Sequence, residues 1–421
     1  MGVVVLRLLT LCALVSSCYG AELAPCKVTC GAARACPNGA ACGSDGYCHL
    51  RVGEACAGLP GRDARAGDGF MPDAGSAPDA GDGGPPDDVP PDSWRPITSE
   101  RAPAPRRFHS AVWTGKLMIV WGGASSAGVQ ATGGRYDPRA DSWTATSPTN
   151  APVARRYHTA VWTLSEMIIW GGDLGSGSRL SARYDPIADT WAPVTVDATV
   201  PSTTGHTAVW SGSEMIIWGG GGFAPYRQNG GRYDPRTDTW RATSRAGAPT
   251  GRAFHSAVWA NGEMIIWGGR DDASPSLDTG GRYDPRTDTW RAMTTANAPA
   301  PRVSHSALWT DRGMFVVGGE TTGGFATARY EPAADRWTAL SEVDQVHGTE
   351  AAWTGTELVV WNASWTPPGG RYDPVRDRWR SISTIGAPGA GEVTSVWTGT
   401  DLILWGTVLP GGTQVGGRYR P

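Results

Sequence analysis

From residue 92 to the C-terminus the apolar residues come in short runs separated by polar turns. Ala111-Val112-Trp113 is one such run, and Met118-Ile119-Val120-Trp121 follows after a turn at Thr114-Gly115. Arg135-Tyr136 makes a third strand and Ser142-Trp143-Thr144 a fourth. Asp137-Pro138 breaks the chain between them, since proline fixes φ and has no ladder donor. The 3.6-residue periodicity of an amphipathic helix is missing throughout. The unit then repeats. Its first tryptophan recurs as Trp113, Trp162, Trp210, Trp259, Trp309, Trp353 and Trp397, at steps of 44–50 residues. A fixed period of that size marks blades or solenoid units that stack on one another.

Four short strands per unit, seven units and no long apolar run predict an all-β, seven-bladed β-propeller over residues 92–421. The last unit ends at Gly416-Gly417-Arg418-Tyr419-Arg420-Pro421, one strand short. Asp92-Ser93-Trp94-Arg95 matches the fourth strand of the first full unit, Asp141-Ser142-Trp143-Thr144. The N-terminal strand, about 92–97, is therefore expected as the outer strand of blade 7. The units resemble kelch repeats in three features. A double glycine follows the second strand, Tyr-Asp-Pro follows the third, and a tryptophan stands seven residues after that tyrosine. The resemblance implies a kelch-like propeller closed through a shared blade.

Recurrence gives most of these residues a structural reading, because packing needs one copy per blade and a catalytic group needs one per chain. Tryptophans such as Trp121 and Trp143 are expected to fill the wedges between blades. The glycine pairs allow close backbone approach or positive φ. The arginine of Arg-Tyr-Asp-Pro is expected to meet a carboxylate or carbonyl between blades. His109, His158, His206, His255 and His305 each stand four residues before the landmark tryptophan. They read as hydrogen-bonding groups at the start of each inner strand, with a metal ring as the lesser alternative.

The segment ahead of the propeller differs in composition. Residues 1–17 hold one charged side chain, Arg7, and an apolar stretch over 8–15, too short for a membrane-spanning helix. Val15-Ser16-Ser17-Cys18 is similar to a bacterial lipobox, which implies acylation of Cys18. Ordinary cleavage after Gly20 is the alternative. Within residues 19–57, Cys26, Cys30, Cys36, Cys42, Cys48 and Cys56 are even in number, and in an exported chain they read as three disulfides of open pairing. Residues 58–91 are rich in Pro, Asp, Ala and Gly and poor in large apolar side chains. Such a chain cannot offset its ordering entropy, and it reads as a disordered, extended spacer.

Function is less legible. The net charge is −3 and no basic patch stands out, which argues against nucleic acid as a partner. The loops between strands two and three, together with the blade-to-blade links, vary in length and fall on one face. Variable loops on a rigid scaffold are where binding residues concentrate. The ligand-binding candidates on that face are Phe223, Tyr226, Arg227, Arg107, Arg156, Arg252, Arg302 and Trp365. Arg106, Arg155, Gln130, Asp173, Arg179, Gln228, Asp271, Asp272, Glu320 and Phe325 lie on the same loops and links. Exposed rings beside guanidinium groups suit a sugar, a carboxylate or a protein hot spot.

Neither a Ser-His-Asp order, a phosphate loop nor an H-E-x-x-H motif occurs in a usable context. The propeller lacks cysteine, so the Tyr–Cys crosslink of kelch-type copper oxidases cannot form. The expectation is an exported, membrane-anchored lipoprotein, on the outer membrane or cell surface, with a secreted or periplasmic soluble form as the alternative. It would act as a monomer that binds an envelope or extracellular protein or a glycan, without cofactor or metal, and touch the membrane only through its lipid. The alternative function is an enzyme acting on an acidic sugar at the channel mouth, resembling sialic acid epimerases, and a passive envelope component is a third.

Overall fold

The computed structural model describes residues 41–42, 48–49, 90–174, 181–200, 203–321, 327–341, 350–362, 368–408 and 415–421. The chain divides into two units, residues 1–82 and 83–421. In the first, Ala41–Cys42 pairs antiparallel with Cys48–His49, and Cys42 stands opposite Cys48. Cys18, Cys26, Cys30, Cys36 and Cys56 lie outside the described residues, as does all but the last two residues of the 58–91 spacer.

The second unit holds seven four-stranded antiparallel sheets, with no helix among the described residues. Blade 1 runs Ser110–Trp113, Met118–Trp121, Gly133–Asp137 and Ser142–Ala145, in that order across the sheet. The inner strands of blades 2 to 7 are Thr159–Trp162, Thr207–Trp210, Ser256–Ala260, Ser306–Thr310, Glu350–Trp353 and Ala390–Trp397. Each packs against the inner strands of the blades on either side, so the seven form a closed circuit.

The second strands explain why the blades stack. Met118-Ile119-Val120-Trp121 is fully buried along its whole length. Ile119 and Trp121 pack with Met167, Ile169 and Tyr184 of blade 2, whereas Met118 and Val120 pack with Val396, Ile403 and Trp405 of blade 7. Neighbouring side chains in a strand point to opposite faces, so a continuous apolar run means both faces are covered. Seven such clusters fill the seven seams.

Paired indoles close the outer part of six of the seven wedges, Val317 standing in place of one indole at the blade 5–6 seam. Trp121 and Trp143 both fill wedges, but on opposite sides of blade 1: Trp121 meets Trp191 of blade 2 at 5.4 Å, and Trp143 meets Trp405 of blade 7 at 4.7 Å. A latch accompanies each pair. Asp141 accepts from the Tyr136 hydroxyl at 2.6 Å and from the backbone N–H of Thr98 at 3.1 Å, while Trp143 Nε1 donates to the Thr98 carbonyl at 3.0 Å. Further out, Arg135 donates to the carbonyl of Pro186, Arg183 to Pro235, Arg232 to Pro285 and Arg282 to Pro332. The arginine of one Arg-Tyr-Asp-Pro thus holds the proline of the next blade.

Blade 7 takes its outer strand from the other end of the chain. Ser93–Pro96 pairs antiparallel with Gly416–Arg420, Trp94 opposite Tyr419. Trp94 packs on Trp361 of blade 6 at 4.4 Å, its Nε1 donates to the Ser383 carbonyl at 2.7 Å, and Asp92 accepts from Ser383 N–H and the Tyr419 hydroxyl. Asp92 and Trp94 therefore carry the same latch as Asp141 and Trp143. Replacing Trp94 by Ala is expected to cost about 3–5 kcal/mol, the range for truncating a buried aromatic. Urea denaturation beside Trp143→Ala checks it; equal losses in the two variants are expected, and a loss below 1 kcal/mol for Trp94→Ala alone would show that the N-terminal strand does not hold the ring.

Candidate functional site

The long-loop face begins where each second strand ends in its glycine pair. Gly122 and Gly123 have φ of 69° and 86°, in the region that favours glycine. A Cβ on Gly122 would stand 2.6 Å from the imidazole of His158 in the next blade. A Cβ on Gly123 would stand 2.6 Å from the Arg107 carbonyl and 2.7 Å from the Cβ of His109. The glycines are therefore the seat on which two histidines rest, one from each side of the seam.

Each histidine spans a seam with a hydrogen bond. Nε2 of His158 lies 2.9 Å from Ser110 Oγ, that of His206 2.8 Å from Thr159 Oγ1, and that of His255 2.9 Å from Thr207 Oγ1. His305 pairs with Ser256 and His109 with Thr394, both at 2.7 Å. The partner always belongs to the preceding blade. Burial pushes His109, His158 and His305 down to about 3 and His206 to about 4, so the rings are neutral at ordinary pH. Each is engaged separately in its own seam, and no group of three His, Cys, Asp or Glu among the described residues is placed to hold a metal.

At the blade 6–7 seam the pattern changes. Val393 stands where a histidine would enter from blade 7, and Glu350 takes the hydroxyl position in blade 6. Ser395 Oγ donates to Glu350 Oε2 at 2.6 Å, and burial raises the Glu350 carboxyl to about 7. Its register equivalence to Ser110 and Thr159 makes it a seam group.

The arginines of the links divide by one residue of register. Arg252 and Arg302, expected among the ligand-binding residues, are instead 1% and 0% exposed. Arg252 donates to the carbonyls of Gly268 at 3.0 Å, Thr279 at 2.7 Å and Thr250 at 3.1 Å. Arg302 donates to Gly318 and Ala300. Arg106 and Arg155 are buried in the same way, on Gly122 and Gly171. All four stand three residues before their histidine and clamp the root of the adjacent long loop. Arg107 and Arg156 stand one residue later and reach the surface. Blades 4 and 5 have Ala253 and Val303 there, and so offer no matching cation.

The exposed groups form a connected surface over blades 1 to 4. Phe108 and Tyr157 stack at 4.2 Å, Arg107 lies 5.0 Å over Phe108, and Arg156 lies 5.4 Å over Tyr157. Arg156 pairs with Asp173 at 2.9 Å and Arg107 with Glu392 at 3.6 Å. Asp173 lines a cleft of about 450 Å³ at the seam of blades 2 and 3, together with Thr203, Thr204, Phe223 and Arg227. Phe223 is 90% exposed, and Arg227 makes no side-chain hydrogen bond or ion pair among the described residues. Tyr226 turns toward blade 4: its N–H is held by Asp272 at 3.0 Å, and Arg270 lies 5.8 Å from its ring and 4.4 Å from that of Phe254.

The structure thus joins Phe223 and Arg227 in one cleft, brings Arg156 to its edge through Asp173, and sets Tyr226 apart. Trp365, Arg179 and Phe325 lie outside the described residues. Phe108, Tyr157, Phe254 and Arg270 were missed by sequence reasoning. Three of them share a signal, an aromatic residue directly before the repeated histidine. Those three have φ of 58°. Their backbones also join the rim: Tyr157 N–H donates to Phe108 O, and Phe254 N–H to Gly205 O.

Two outcomes follow. Arg252→Ala should destabilise the fold by about 1–3 kcal/mol, because several carbonyls lose a charged donor, while Arg156→Ala should stay within about 0.5 kcal/mol; thermal melts of both distinguish clamp from surface. The folded-state pKa of Glu350 lies above its unfolded value near 4.5. Its stabilisation is therefore present in full below about pH 4.5 and is lost as pH rises to about 7, on the order of 1–3 kcal/mol. The buried histidines, neutral in the fold, make stability rise with pH up to about 6.5 in both proteins, so the Glu350 contribution is read as a difference: between pH 5 and 8 the stability of the wild type should fall relative to that of Glu350→Gln in parallel denaturation series.

The family model described as the KLHDC2/KLHL20/DRC7 Kelch-repeats domain matches residues 88–220, 158–361 and 205–406 in overlapping segments. No curated protein matches the chain.

Proposed function

The chain belongs to the family of KLHDC2/KLHL20/DRC7 Kelch-repeats domains, and from that membership we propose that it is a protein-interaction module that takes its partner on the long-loop face. The observation that carries the reading is the pair Phe223 and Arg227. A nearly fully exposed phenylalanine shares a cleft between rigidly latched blades with a guanidinium that makes no hydrogen bond or ion pair among the described residues. Large rings and arginine dominate interface energetics when a partner desolvates them. The stacked pairs at Phe108 and Tyr157 extend the same surface toward the centre of the ring.

The partner is an envelope or extracellular protein, met by an exported, lipid-anchored form of the chain. The apolar stretch over 8–15, the lipobox-like residues ending at Cys18 and the even set of six cysteines support this placement. An extracellular glycan is the second reading. The hydroxyls of Thr203 and Thr204 beside Arg227 favour it, because a sugar acid needs both kinds of donor.

Cross-linking capture from native envelopes by the full chain tests the reading, beside a double variant, Phe223→Ala with Arg227→Ala. Both side chains are exposed, so the variant should fold. A protein captured by the wild type and reduced at least tenfold by the variant is the expected result. Equal capture by both would remove the site from blade 3. A glycan retained by the wild type and lost by the variant would establish the second reading in place of the first.

A further inference from the structure

The opposite face carries a charge arrangement that the repeat leaves incomplete. In blade 3, Arg241 of the outer strand Thr239–Ala242 stands directly opposite Arg232 of the third strand. Like charges paired across strands are destabilising unless an anion lies between them. Blade 6 has the same pair, Arg371 opposite Arg380, and there Glu357 bridges both, at 2.9 Å and 2.6 Å. In blade 7 the cross-strand pair is Arg95 opposite Arg418, and Asp401 holds Arg418 together with Arg420 of the same strand. In blade 3 the corresponding carboxylate, Glu214, is taken up by Arg232 alone, at 2.9 and 3.2 Å. Arg241 is exposed and makes no hydrogen bond or ion pair among the described residues.

Arg241 opens onto a cleft of about 450 Å³ at the seam of blades 3 and 4. Arg232, Arg236 and Arg286 line it too, and the indole of Trp259 forms part of the wall. The four guanidinium groups face only two lining carboxylates, Glu214 and Asp234, both already paired with arginine. The guanidinium groups of Arg236 and Arg286 pair with Asp234 and Asp284 at 3.1 and 3.3 Å, yet the two side chains remain 77% and 79% exposed. They are held in place without being covered.

Blade 2 supplies an internal comparison. The residue opposite Arg183 is Ala192, and the cleft at the blade 2–3 seam, about 310 Å³, is lined by one arginine, Arg236, against Glu166. The surplus of positive charge belongs to the blade 3–4 cleft and depends on Arg241.

We propose that this cleft binds a tetrahedral oxyanion, a phosphate or sulfate ester, with Arg241 and Arg232 on one side and Arg236 and Arg286 on the other. Guanidinium forks match oxyanion geometry, and Arg241 supplies a positive charge that none of the three carboxylates paired with its neighbours, Glu214, Asp234 and Asp284, takes up. The ester serves blade 3 as Glu357 serves blade 6. The Trp259 wall suits the carbon skeleton that bears it.

Equilibrium dialysis of the full chain with labelled inorganic phosphate and inorganic sulfate tests the site, at ionic strength held constant with chloride. Arg241→Ala creates at blade 3 the pairing that blade 2 already has, so it should fold. Arg291→Ala is the control, since Arg291 stands opposite Arg282 in blade 4 and does not line the cleft. The expected result is one saturable site, weakened about tenfold or more by Arg241→Ala and unchanged by Arg291→Ala, in line with loss of one charge-assisted contact. Saturation by phosphate alone assigns a phosphate ester, by sulfate alone a sulfate ester, and by both the shared oxyanion chemistry. Absence of saturable binding of either ion over chloride, or equal binding by Arg241→Ala, overturns the proposal.

Discussion

Every second strand in the propeller is apolar on both faces, and that constraint governs the rest. A blade such as Met118–Trp121 with its three neighbours cannot bury both faces alone, so each blade is stable only between two others. The requirement is met in a line of blades everywhere except at the ends, and a ring removes the ends. Closure here is non-covalent. Trp94 and Asp92 carry the same indole pair and Asp latch as the internal seams, so the join need not be weaker than a seam crossed by the chain. Seven similar seams, rather than one large core, hold the domain together.

The long-loop face is a by-product of the same seams. A histidine from each of the first five blades must approach the preceding blade closely enough to reach its hydroxyl, and that approach needs the glycine pair. The pair ends the second strand, so whatever follows is free to differ from blade to blade. Buried Arg106, Arg155, Arg252 and Arg302 then pin the roots of these loops through backbone carbonyls. Variable tips on fixed roots let Phe223 stay exposed at little cost to the fold, since nothing in the seam depends on its side chain.

The fold was legible because the signal was repeated: the strand count was readable from one unit, the blade count from its seven recurrences, and the packing role of the tryptophans, glycine pairs and histidines from the fact that they recur. The matching of Asp92-Ser93-Trp94 to Asp141-Ser142-Trp143 was readable for the same reason. The site was only partly legible. Phe223 and Arg227 stood out as a ring and a cation on an irregular loop. Arg252 and Arg302 misled because a single residue of register moves a side chain from surface to interior, and an arginine reads alike in both places. Phe108 and Tyr157 were hidden by their own recurrence, since a ring that stands before three of the five histidines resembles packing until its stacking with guanidinium groups at the surface is seen.

Recurrence therefore separates scaffold from site only when the partner recurs with the residue. The histidines pass that test, each with a serine or threonine of the blade before. Glu350 sits at a repeated position but has lost the histidine, and its pairing with Ser395 keeps it within the seam by other chemistry. Arg241 is the reverse case. Its sequence context is repeated in Arg291 and Arg380, yet only in blade 6 does a carboxylate reach across to the equivalent arginine. No reading of one strand could show this, because the missing group belongs to a different strand of the sheet. A repeated residue whose partner is absent from its own blade is free to meet a partner from outside, and among the described residues Arg241 is in that position.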